Sequence, residues 1–389
     1  MIKTYDAVVV GGGPAGATAA HELARRGRSV LLLDRAGRIK PCGGAIPPRL
    51  IRDFGIPDHL LCARITSARM VAPSSRSVDM PIERGFVGMV DRDSFDEWLR
   101  ERAAHSGAER MIGQFQSVAR DADGVAVVAF RCGKSVERVR AKTIIGADGA
   151  RSSVALQCVK GAARIRHVFA YHEIVRTPRE GFDRSRCDVY YQGRLSPDFY
   201  GWVFPHGDTA SVGSGSARKG FSLRKSVGAL RDVAGLAQAD TLRREGAPIP
   251  MKPLRRWDNG RDVLLAGDAA GVVAPASGEG IYYAMEGGRL AAEAADVFLL
   301  TGDVRVLRSA RRRFMRAHGR VFWILGVMQW FWYSSDTRRE RFVSICADPD
   351  VQRLTWESYM NKALTHKDPL AHARIFIKDV AHLLGLVSA

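Results

Sequence analysis

A glycine-rich turn near the N-terminus constrains this chain more than any other feature. The turn, residues 11–16, follows an apolar run at residues 7–10 and opens a helical pattern that extends to about Arg26. A second apolar run, residues 29–33, ends at Asp34, which predicts a βαβ unit. Glycines at such a turn let backbone N–H groups approach a pyrophosphate, and the acid binds ribose hydroxyls. The expected dinucleotide contacts are Gly11, Gly13, Pro14, Ala15, Gly16, Asp34 and Arg35.

Two further segments indicate which dinucleotide is bound. Each is an apolar strand that ends in a Gly/Asp turn: residues 144–152 contain Asp148, and residues 264–271 contain Gly267 and Asp268. An acid at the second turn can accept hydrogen bonds from ribitol hydroxyls, while neighbouring N–H groups meet the pyrophosphate. A plain NAD-dependent dehydrogenase needs neither segment. We therefore predict that the cofactor is FAD and that these three residues contact it.

The net charge narrows the choice of partners. Among 389 residues, 59 are Lys or Arg and 41 are Asp or Glu, which gives a formal net charge of +18. Such a field attracts anions, among them nucleic acid, an acidic membrane surface, NADPH and a diphosphate-bearing substrate. The basic residues are spread along the chain without a zinc-finger or RNA-reading motif, and this counts against nucleic acid.

The cysteines and the N-terminal residues indicate the cellular compartment in which the protein works. The six cysteines occur singly, without a CxxC pair or zinc-ligand spacing, so we expect no metal site and a reducing environment. The N-terminus enters a strand at once, which leaves no room for a secretory signal. We expect the protein on the cytoplasmic side.

The order of the patterns predicts an α/β protein with a Rossmann-type FAD-binding domain, an antiparallel-sheet substrate domain and a helical C-terminal region. We assign residues 1–165 and 255–300 to a discontinuous FAD-binding domain, residues 166–254 to the substrate domain and residues 301–389 to the helical region, with residues 65–90 contributing to the substrate side. Residues 213–218 resemble a nucleotide-binding turn, but Arg218 stands where a third glycine belongs. We interpret this segment as a turn at the end of a strand.

Residues 321–333 form the longest apolar stretch, VFWILGVMQWFWY. A membrane-spanning helix needs about 20 apolar residues, so this segment is too short to cross a bilayer. Its aromatic side chains and the basic residues at 311–313 suit a membrane interface. A buried helix that lines a pocket explains the same composition, and both interpretations stay open.

The three cofactor segments together resemble the FAD-binding oxidoreductases of the aromatic hydroxylase type. In that family, the stretch that matches residues 275–281 here places a helix N-terminus beside the flavin ring, where the helix dipole stabilises negative charge on reduced flavin. The resemblance implies that Gly278, Gly280 and Ile281 contact the cofactor. It also implies that Arg92 and Asp93 lie near it.

The segments Lys40-Pro41-Cys42-Gly43-Gly44 and Tyr200-Gly201-Trp202-Val203-Phe204-Pro205 are similar to those of the geranylgeranyl reductase family. Residues 350–359 resemble the branch that makes the phytyl tail of chlorophylls and bacteriochlorophylls. The implied reaction is stepwise saturation of a geranylgeranyl chain, leaving one double bond, with NADPH as the donor and FAD as the carrier. The implied substrate is geranylgeranyl diphosphate or a geranylgeranylated pigment, and the implied location is peripheral on a photosynthetic membrane. Cys42, Gly43 and Gly44 are then cofactor-binding residues.

The chemistry of this reaction adds a constraint. Isolated trialkyl alkenes are not electrophilic, so a proton delivered first or in concert has to accompany the hydride, in a dry apolar tunnel. Tyr200, Trp202 and Phe204 alternate along one strand and are candidates for the tunnel wall or, alternatively, for sheet core. Cys42 is a candidate proton donor or an inert thiol, and Tyr200 or a bound water are other candidate acids.

Two other functions remain open at this stage. An aromatic or polyketide hydroxylase shares all three cofactor segments, although it needs neither the residues at 40–44 nor the strand at 200–205. A flavoprotein that serves as a scaffold in membrane pigment assembly is the second alternative, and it rests on the positive charge and residues 321–333.

Overall fold

The computed structural model describes residues 2–35 and 39–362. The strands are β1 (Thr4–Val10), β2 (Val30–Asp34), β3 (Ala45–Ile46), β4 (Leu61–Ile65), β5 (Ser67–Val71), β6 (Ser77–Pro81), β7 (Val87–Val90), β8 (Glu109–Ile112), β9 (Gln114–Arg120), β10 (Ala126–Cys132), β11 (Ser135–Gly146), β12 (His167–Arg176), β13 (Arg186–Tyr190), β14 (Gly201–His206), β15 (Thr209–Ser216), β16 (Thr241–Pro250) and β17 (Val263–Leu265). The helices are α1 (Pro14–Ala24), α2 (Pro48–Phe54), α3 (Arg92–His105), α4 (Ser153–Cys158), α5 (Leu223–Val233), α6 (Ile281–Thr301), α7 (Arg308–Trp332), α8 (Asp336–Ile345) and α9 (Pro349–Asn361).

The chain forms two compact units, each assembled from three segments. The first contains the described residues within 1–40, 92–167 and 248–322, and the second those within 41–91, 168–247 and 323–389. This division differs from the sequence-based one at several boundaries, and residues 166–167 and 248–254 belong to the first unit and not to the substrate domain. Residues 41–64 join the second unit, and the C-terminal helices are shared between the units instead of forming a region of their own. The part of that region at 363–389 lies outside the described residues.

The first unit is built on a sheet with the strand order β8-β2-β1-β11-β10-β9, and β17 pairs with β11. Strands β2, β1, β11 and β17 are parallel, so their carboxyl ends meet at one edge of the sheet. The parallel strands read as continuous apolar runs because both of their faces are covered. The predicted βαβ unit is present, and β10 forms an antiparallel hairpin with the long strand β11.

Helices α1 and α6 pack against each other with almost no space between their backbones. A Cβ atom added at Gly288 of α6 would lie 2.2 Å from the backbone oxygen of Ala15 in α1. A Cβ added at Gly16 would lie 1.8 Å from the Gly11 oxygen. Glycine is therefore required at both positions, and α6 holds the first turn of α1 in place.

The second unit contains a sheet with the order β16-β12-β15-β14-β13-β5-β6 and a small sheet with the order β3-β7-β4. The large sheet is mostly antiparallel, as predicted, but β13 pairs with β5 in parallel. Strands β5 and β6 lie within residues 65–90, which were expected on the substrate side. Helix α5 packs against this sheet through Val227 and Leu230, which join a buried cluster with Val203 and Val212.

Residues 213–216 are part of strand β15 and not a turn at its end, contrary to the sequence-based interpretation. The glycines have a packing role instead. A Cβ at Gly213 would lie 2.1 Å from the Trp202 ring, and one at Gly215 would lie 2.8 Å from the Phe199 ring. The glycine pattern thus makes room for aromatic rings that approach the strand closely.

Candidate functional site

The glycine-rich turn leads directly into helix α1 at the carboxyl edge of the parallel strands. Gly11 has φ of +104°, and a Cβ there would lie 2.4 Å from the backbone oxygen of Ala147. Helix α1 begins at Pro14 without a side-chain cap, and a Cβ at Gly13 would have nothing within 4 Å. The N-terminus of α1 is thus uncapped and has open space beside Gly13, which is the arrangement that binds a pyrophosphate.

Asp34 ends strand β2 beside the same turn. Its carboxylate lies 3.4 Å from Nη1 of Arg100, and this guanidinium also donates to the Gly12 carbonyl at 3.3 Å. Arg100, which sequence reasoning missed, therefore joins the predicted ribose acid to the glycine turn. It belongs to helix α3, far from Asp34 in sequence, and no local pattern marks it. The neighbouring Arg35 is exposed.

Asp148 lies beside Gly11, but its carboxylate oxygens already accept several hydrogen bonds. They come from the Ser152 hydroxyl and from the backbone N–H groups of Ser153 at 2.7 Å and Val154 at 3.2 Å. Burial raises the pKa of Asp148, against the opposing effect of these hydrogen bonds. The side chain therefore supports the start of α4, and its predicted contact with a cofactor stays a prediction.

Asp268 lies in a short 3-10 turn at residues 267–270, after β17, and its side chain is buried. The Lys40 ammonium donates to its Oδ2 at 2.5 Å. Gly267, with φ of +63°, packs against α1, because a Cβ there would lie 2.6 Å from the Ala15 Cβ. The last Gly/Asp segment is thus adjacent to the first turn of α1, and Lys40 is a second polar residue whose role the sequence did not show.

Helix α6 starts at Ile281, next to Asp268: a Cβ at Gly280 would lie 3.9 Å from the Asp268 Oδ1. Gly278 has φ of +65°, which permits the tight loop before the helix. Glu279 accepts a hydrogen bond from the Tyr282 N–H at 2.9 Å and so caps the first turn. The predicted helix N-terminus is present, and one of its backbone N–H groups, that of Tyr282, is already bonded to this acid.

Arg92 and Asp93 start helix α3 in the first unit. The Arg92 guanidinium is buried and makes a bidentate ion pair with Asp96, at 2.8 and 2.7 Å. This pair stabilises the first turns of α3. The predicted proximity of Arg92 and Asp93 to a cofactor stays a prediction.

The first unit fits FAD on these observations. The uncapped α1 with open space at Gly13 suits the pyrophosphate, Asp34 suits the adenosine ribose, and Asp268 suits the ribitol chain. The described residues contain no cluster of His, Cys, Asp or Glu suited to a metal ion. When bound, FAD supplies two-electron chemistry by hydride transfer.

In the second unit, the residues from 41 onward in the predicted cofactor loop lie against the aromatic strand. A Cβ at Gly43 would lie 2.9 Å from the Phe204 ring, and one at Gly44 would lie 2.5 Å from His206 Nε2. The Cys42 sulfur accepts a hydrogen bond from the Gly44 N–H at 3.4 Å. Tyr200 is close enough to interact electrostatically with Cys42. The structure therefore brings together both segments on which the resemblance to geranylgeranyl reductases rests.

The three predicted substrate residues form a continuous aromatic row. The ring centroids of Tyr200 and Trp202 are 5.9 Å apart, and those of Trp202 and Phe204 are 6.3 Å apart. Val203, between them in sequence, points into the core beneath α5. Burial raises the pKa of Tyr200 well above its usual range, so the phenol keeps its proton.

A buried hydrogen-bond chain fixes the ring in the middle of this row. The Trp202 indole N–H donates to the Ser211 hydroxyl at 3.0 Å, and that hydroxyl lies 2.8 Å from His172 Nδ1. His172 Nε2 lies 2.9 Å from the Glu245 carboxylate. A neutral ring that donates from Nε2–H to Glu245 accepts the Ser211 proton at Nδ1, and every member of the chain is then satisfied.

Comparison with known proteins agrees with this site. The FAD binding domain family matches residues 4–169. A geranylgeranyl diphosphate reductase from Rhodobacter capsulatus is 60% identical over 98% of both chains. A chloroplastic geranylgeranyl diphosphate reductase from Oryza sativa is 36% identical over 97% of this chain and 85% of its own. A geranylgeranyl bacteriochlorophyll reductase-like protein from Thermoplasma acidophilum has the same fold, with a TM-score of 0.84 at 23% identity, over 97% of this chain and 100% of that one.

The fold and the site define an FAD-dependent oxidoreductase. Within that class, the chain belongs to the geranylgeranyl diphosphate reductase family. The family resemblance inferred from residues 40–44 and 200–205 is confirmed, and so is the choice of FAD over NAD.

Proposed function

We propose that this protein reduces the geranylgeranyl chain stepwise to phytyl in photosynthetic pigment synthesis, with FAD as carrier and NADPH as the ultimate donor. The observation that carries the proposal is the packing of Gly43 against Phe204, whose ring continues the aromatic row of Tyr200 and Trp202 in the second unit. An aromatic row beside a cysteine suits an apolar, polyunsaturated chain and a proton source. The relatives named for geranylgeranyl diphosphate support the same substrate class.

The residues of the second unit have separate tasks in this proposal. The row of rings excludes water from the chain and holds it extended, which favours reaction over side reactions with solvent. The Cys42 thiol and the Tyr200 phenol are the candidate groups that hold a proton for the alkene carbon. Burial keeps the Tyr200 phenol protonated, but by raising its pKa it also makes the phenol a weaker acid.

The test is an anaerobic incubation of the FAD-loaded protein with NADPH and, in parallel, geranylgeranyl diphosphate or a geranylgeranylated pigment. We expect products that gain two hydrogens per step, detected by mass spectrometry, with one double bond left. Product formed only when oxygen is admitted identifies a hydroxylase instead. Flavin that NADPH never bleaches, with or without substrate, identifies a scaffold. Comparison of the two incubations shows which form of the chain is the substrate.

We predict that Cys42→Ser retains FAD and changes alkene reduction, because serine keeps the loop geometry but is a weaker acid than a thiol. The measurement is the rate and the ratio of partly to fully reduced products. Cys62→Ser is the matched control, since Cys62 is an exposed thiol of the same unit. An unchanged rate and product ratio for Cys42→Ser would remove this residue from the mechanism.

We also propose that the protein works on the cytoplasmic side, peripherally on a photosynthetic membrane. A geranylgeranyl chain or a chain attached to a pigment partitions into lipid, and a net charge of +18 favours contact with an anionic surface. Within residues 2–35 and 39–362, no helix combines the length and the apolar character that a membrane span requires.

A further inference from the structure

Helix α7 has an unusual charge distribution and an unusual exposed face. Over Arg308–Trp332 it contains six arginines and no acidic residue. Its long apolar segment is not uniformly buried: Trp323 is 71% exposed, Val327 44% and Trp330 75%. Isolated apolar residues on a surface are common, but two tryptophans about two turns apart on one helix, each with most of its surface in water, need an explanation.

The spacing of these residues places them on one face. Positions 323, 327 and 330 follow the i, i+4, i+7 pattern of a helix stripe. On the other side, Phe314, His318 and Phe322 are buried and contact one another through their rings. At the C-terminal end, Trp332 is buried at 8% exposure. The aromatic residues of 321–333 therefore divide into a buried set and an exposed set, which the sequence alone did not separate.

The arginines on the same side of α7 extend this face toward the helix N-terminus. Arg312, Arg316 and Arg320 are exposed, and at 100° per residue each lies within about 60° of Trp323 around the helix. Among the described residues no acid is recorded in an ion pair with any of these three. Arg313, by contrast, is paired with Glu293 and lies further round the helix. The exposed face thus combines unpaired cations with tryptophan.

We propose that the face formed by Arg312, Arg316, Arg320, Trp323, Val327 and Trp330, the α7 face, binds an anionic membrane surface with the helix lying in the interface. Tryptophan prefers the boundary between lipid headgroups and acyl chains, and arginine binds the phosphates of anionic lipids. A protein partner is less suited to this face. Protein interfaces have an apolar centre surrounded by a polar rim, whereas on α7 the arginines lie at one end of the face and the tryptophans at the other.

The inference deepens the peripheral membrane contact proposed above, and it is argued from the residues of α7 whatever the substrate is. The two failures can therefore be told apart. A protein that reduces the chain in detergent but does not bind membranes contradicts the role of the α7 face. A protein that binds membranes but does not reduce the chain contradicts the proposed reaction.

The test is flotation of the full-length, FAD-loaded protein with vesicles of phosphatidylcholine alone or with about one third phosphatidylglycerol. We expect binding only to the anionic vesicles. Trp323→Ser with Trp330→Ser is expected to weaken that binding at least tenfold. Replacing Arg312, Arg316 and Arg320 by Gln is expected to weaken it about fivefold per arginine, with a smaller dependence on salt. Leu300→Ser with Ile112→Ser is the matched control, because both residues are as exposed as the tryptophans but lie outside α7.

Bound FAD and the melting temperature show that each variant is folded. Equal flotation of the tryptophan variant and the parent overturns the proposal. So does a shift of the tryptophan variant from dimer to monomer in light scattering, which assigns the α7 face to a second copy of the chain. Tryptophan fluorescence supplies a third check. If acrylamide quenches the parent no more than the Trp323/Trp330 variant, the two rings are covered by the chain itself, and the face is not available to lipid.

Discussion

At the scale of single residues, Trp202 is held by two features that sequence patterns do not show together. Gly213 leaves room for the ring, since a Cβ there would lie 2.1 Å from it, and Ser211 accepts the indole N–H at 3.0 Å. Both belong to β15, the strand next to β14. The orientation of this ring therefore depends on its neighbouring strand more than on its own.

We predict that Ser211→Ala lowers stability and disturbs substrate handling. The change leaves the Trp202 N–H and His172 Nδ1 without partners in a buried site, which costs about 1–3 kcal/mol. The expected result is a lower melting temperature and a raised KM for the isoprenoid substrate. Ser214→Ala is the control, because Ser214 is buried on the opposite face of β15 and bonds the Leu195 carbonyl. If both variants change KM equally, the chain through His172 has only a structural role.

His206, which follows the aromatic row, predicts a dependence on pH. Burial lowers its pKa below the usual value, partly offset by the hydrogen bond from its Nδ1 to the Phe204 carbonyl at 3.0 Å. The folded protein therefore favours the neutral ring, while the unfolded chain takes up a proton below about pH 6.5. We expect full stability above that pH and a decline as the pH falls below it.

The measurement is the melting temperature between pH 8 and pH 5 for the parent and for His206→Gln. The variant is expected to show a flatter profile of melting temperature against pH. The other titrating groups are present in both proteins, so the difference between the profiles is the contribution of His206. Parallel profiles would show that His206 does not contribute to acid destabilisation.

At the scale of elements, α6 determines whether the glycine turn can hold its position. We predict that Gly288→Ala reduces FAD binding strongly, because the added Cβ would lie 2.2 Å from the Ala15 oxygen and displace the first turn of α1. The measurement is the fraction of FAD retained after purification, together with the melting temperature. Gly228→Ala in α5 is the control: nothing lies within 4 Å of its Cβ position, and alanine favours the helix by about 1 kcal/mol. Equal FAD retention in the two variants contradicts this account.

The elements also show how far the sequence could predict the molecule. The strands and helices of the βαβ unit were predictable because apolar periodicity and glycine position are local signals. The contacts of Lys40 and Arg100 were not, because each of these residues meets its partner through the tertiary fold. Asp148 was placed beside the glycine turn by its motif, yet its carboxylate is used to support α4. A motif indicates where a residue lies, and only the surrounding hydrogen bonds show what its side chain does.

At the scale of the whole molecule, the net charge of +18 predicts a salt effect on the proposed reductant. NADPH is an anion, so the field of the protein raises its local concentration. Raising NaCl from about 0.1 M to about 1 M shortens the Debye length from ~10 to ~3 Å. We expect the KM for NADPH to rise about tenfold with little change in kcat. NADH, which lacks the 2′-phosphate, is the control and is expected to respond less; equal responses would show that the field does not select the phosphate.

The packing of α1 against α6 also has a consequence for synthesis of the chain. Helix α1 ends at Ala24, but the helix that completes its packing begins only at Ile281. At a translation rate of about 5–20 residues per second, the N-terminal βαβ unit waits for tens of seconds on the ribosome with one side uncovered. The cofactor can therefore be captured stably only near the end of translation, and the emerging chain needs protection from aggregation until then.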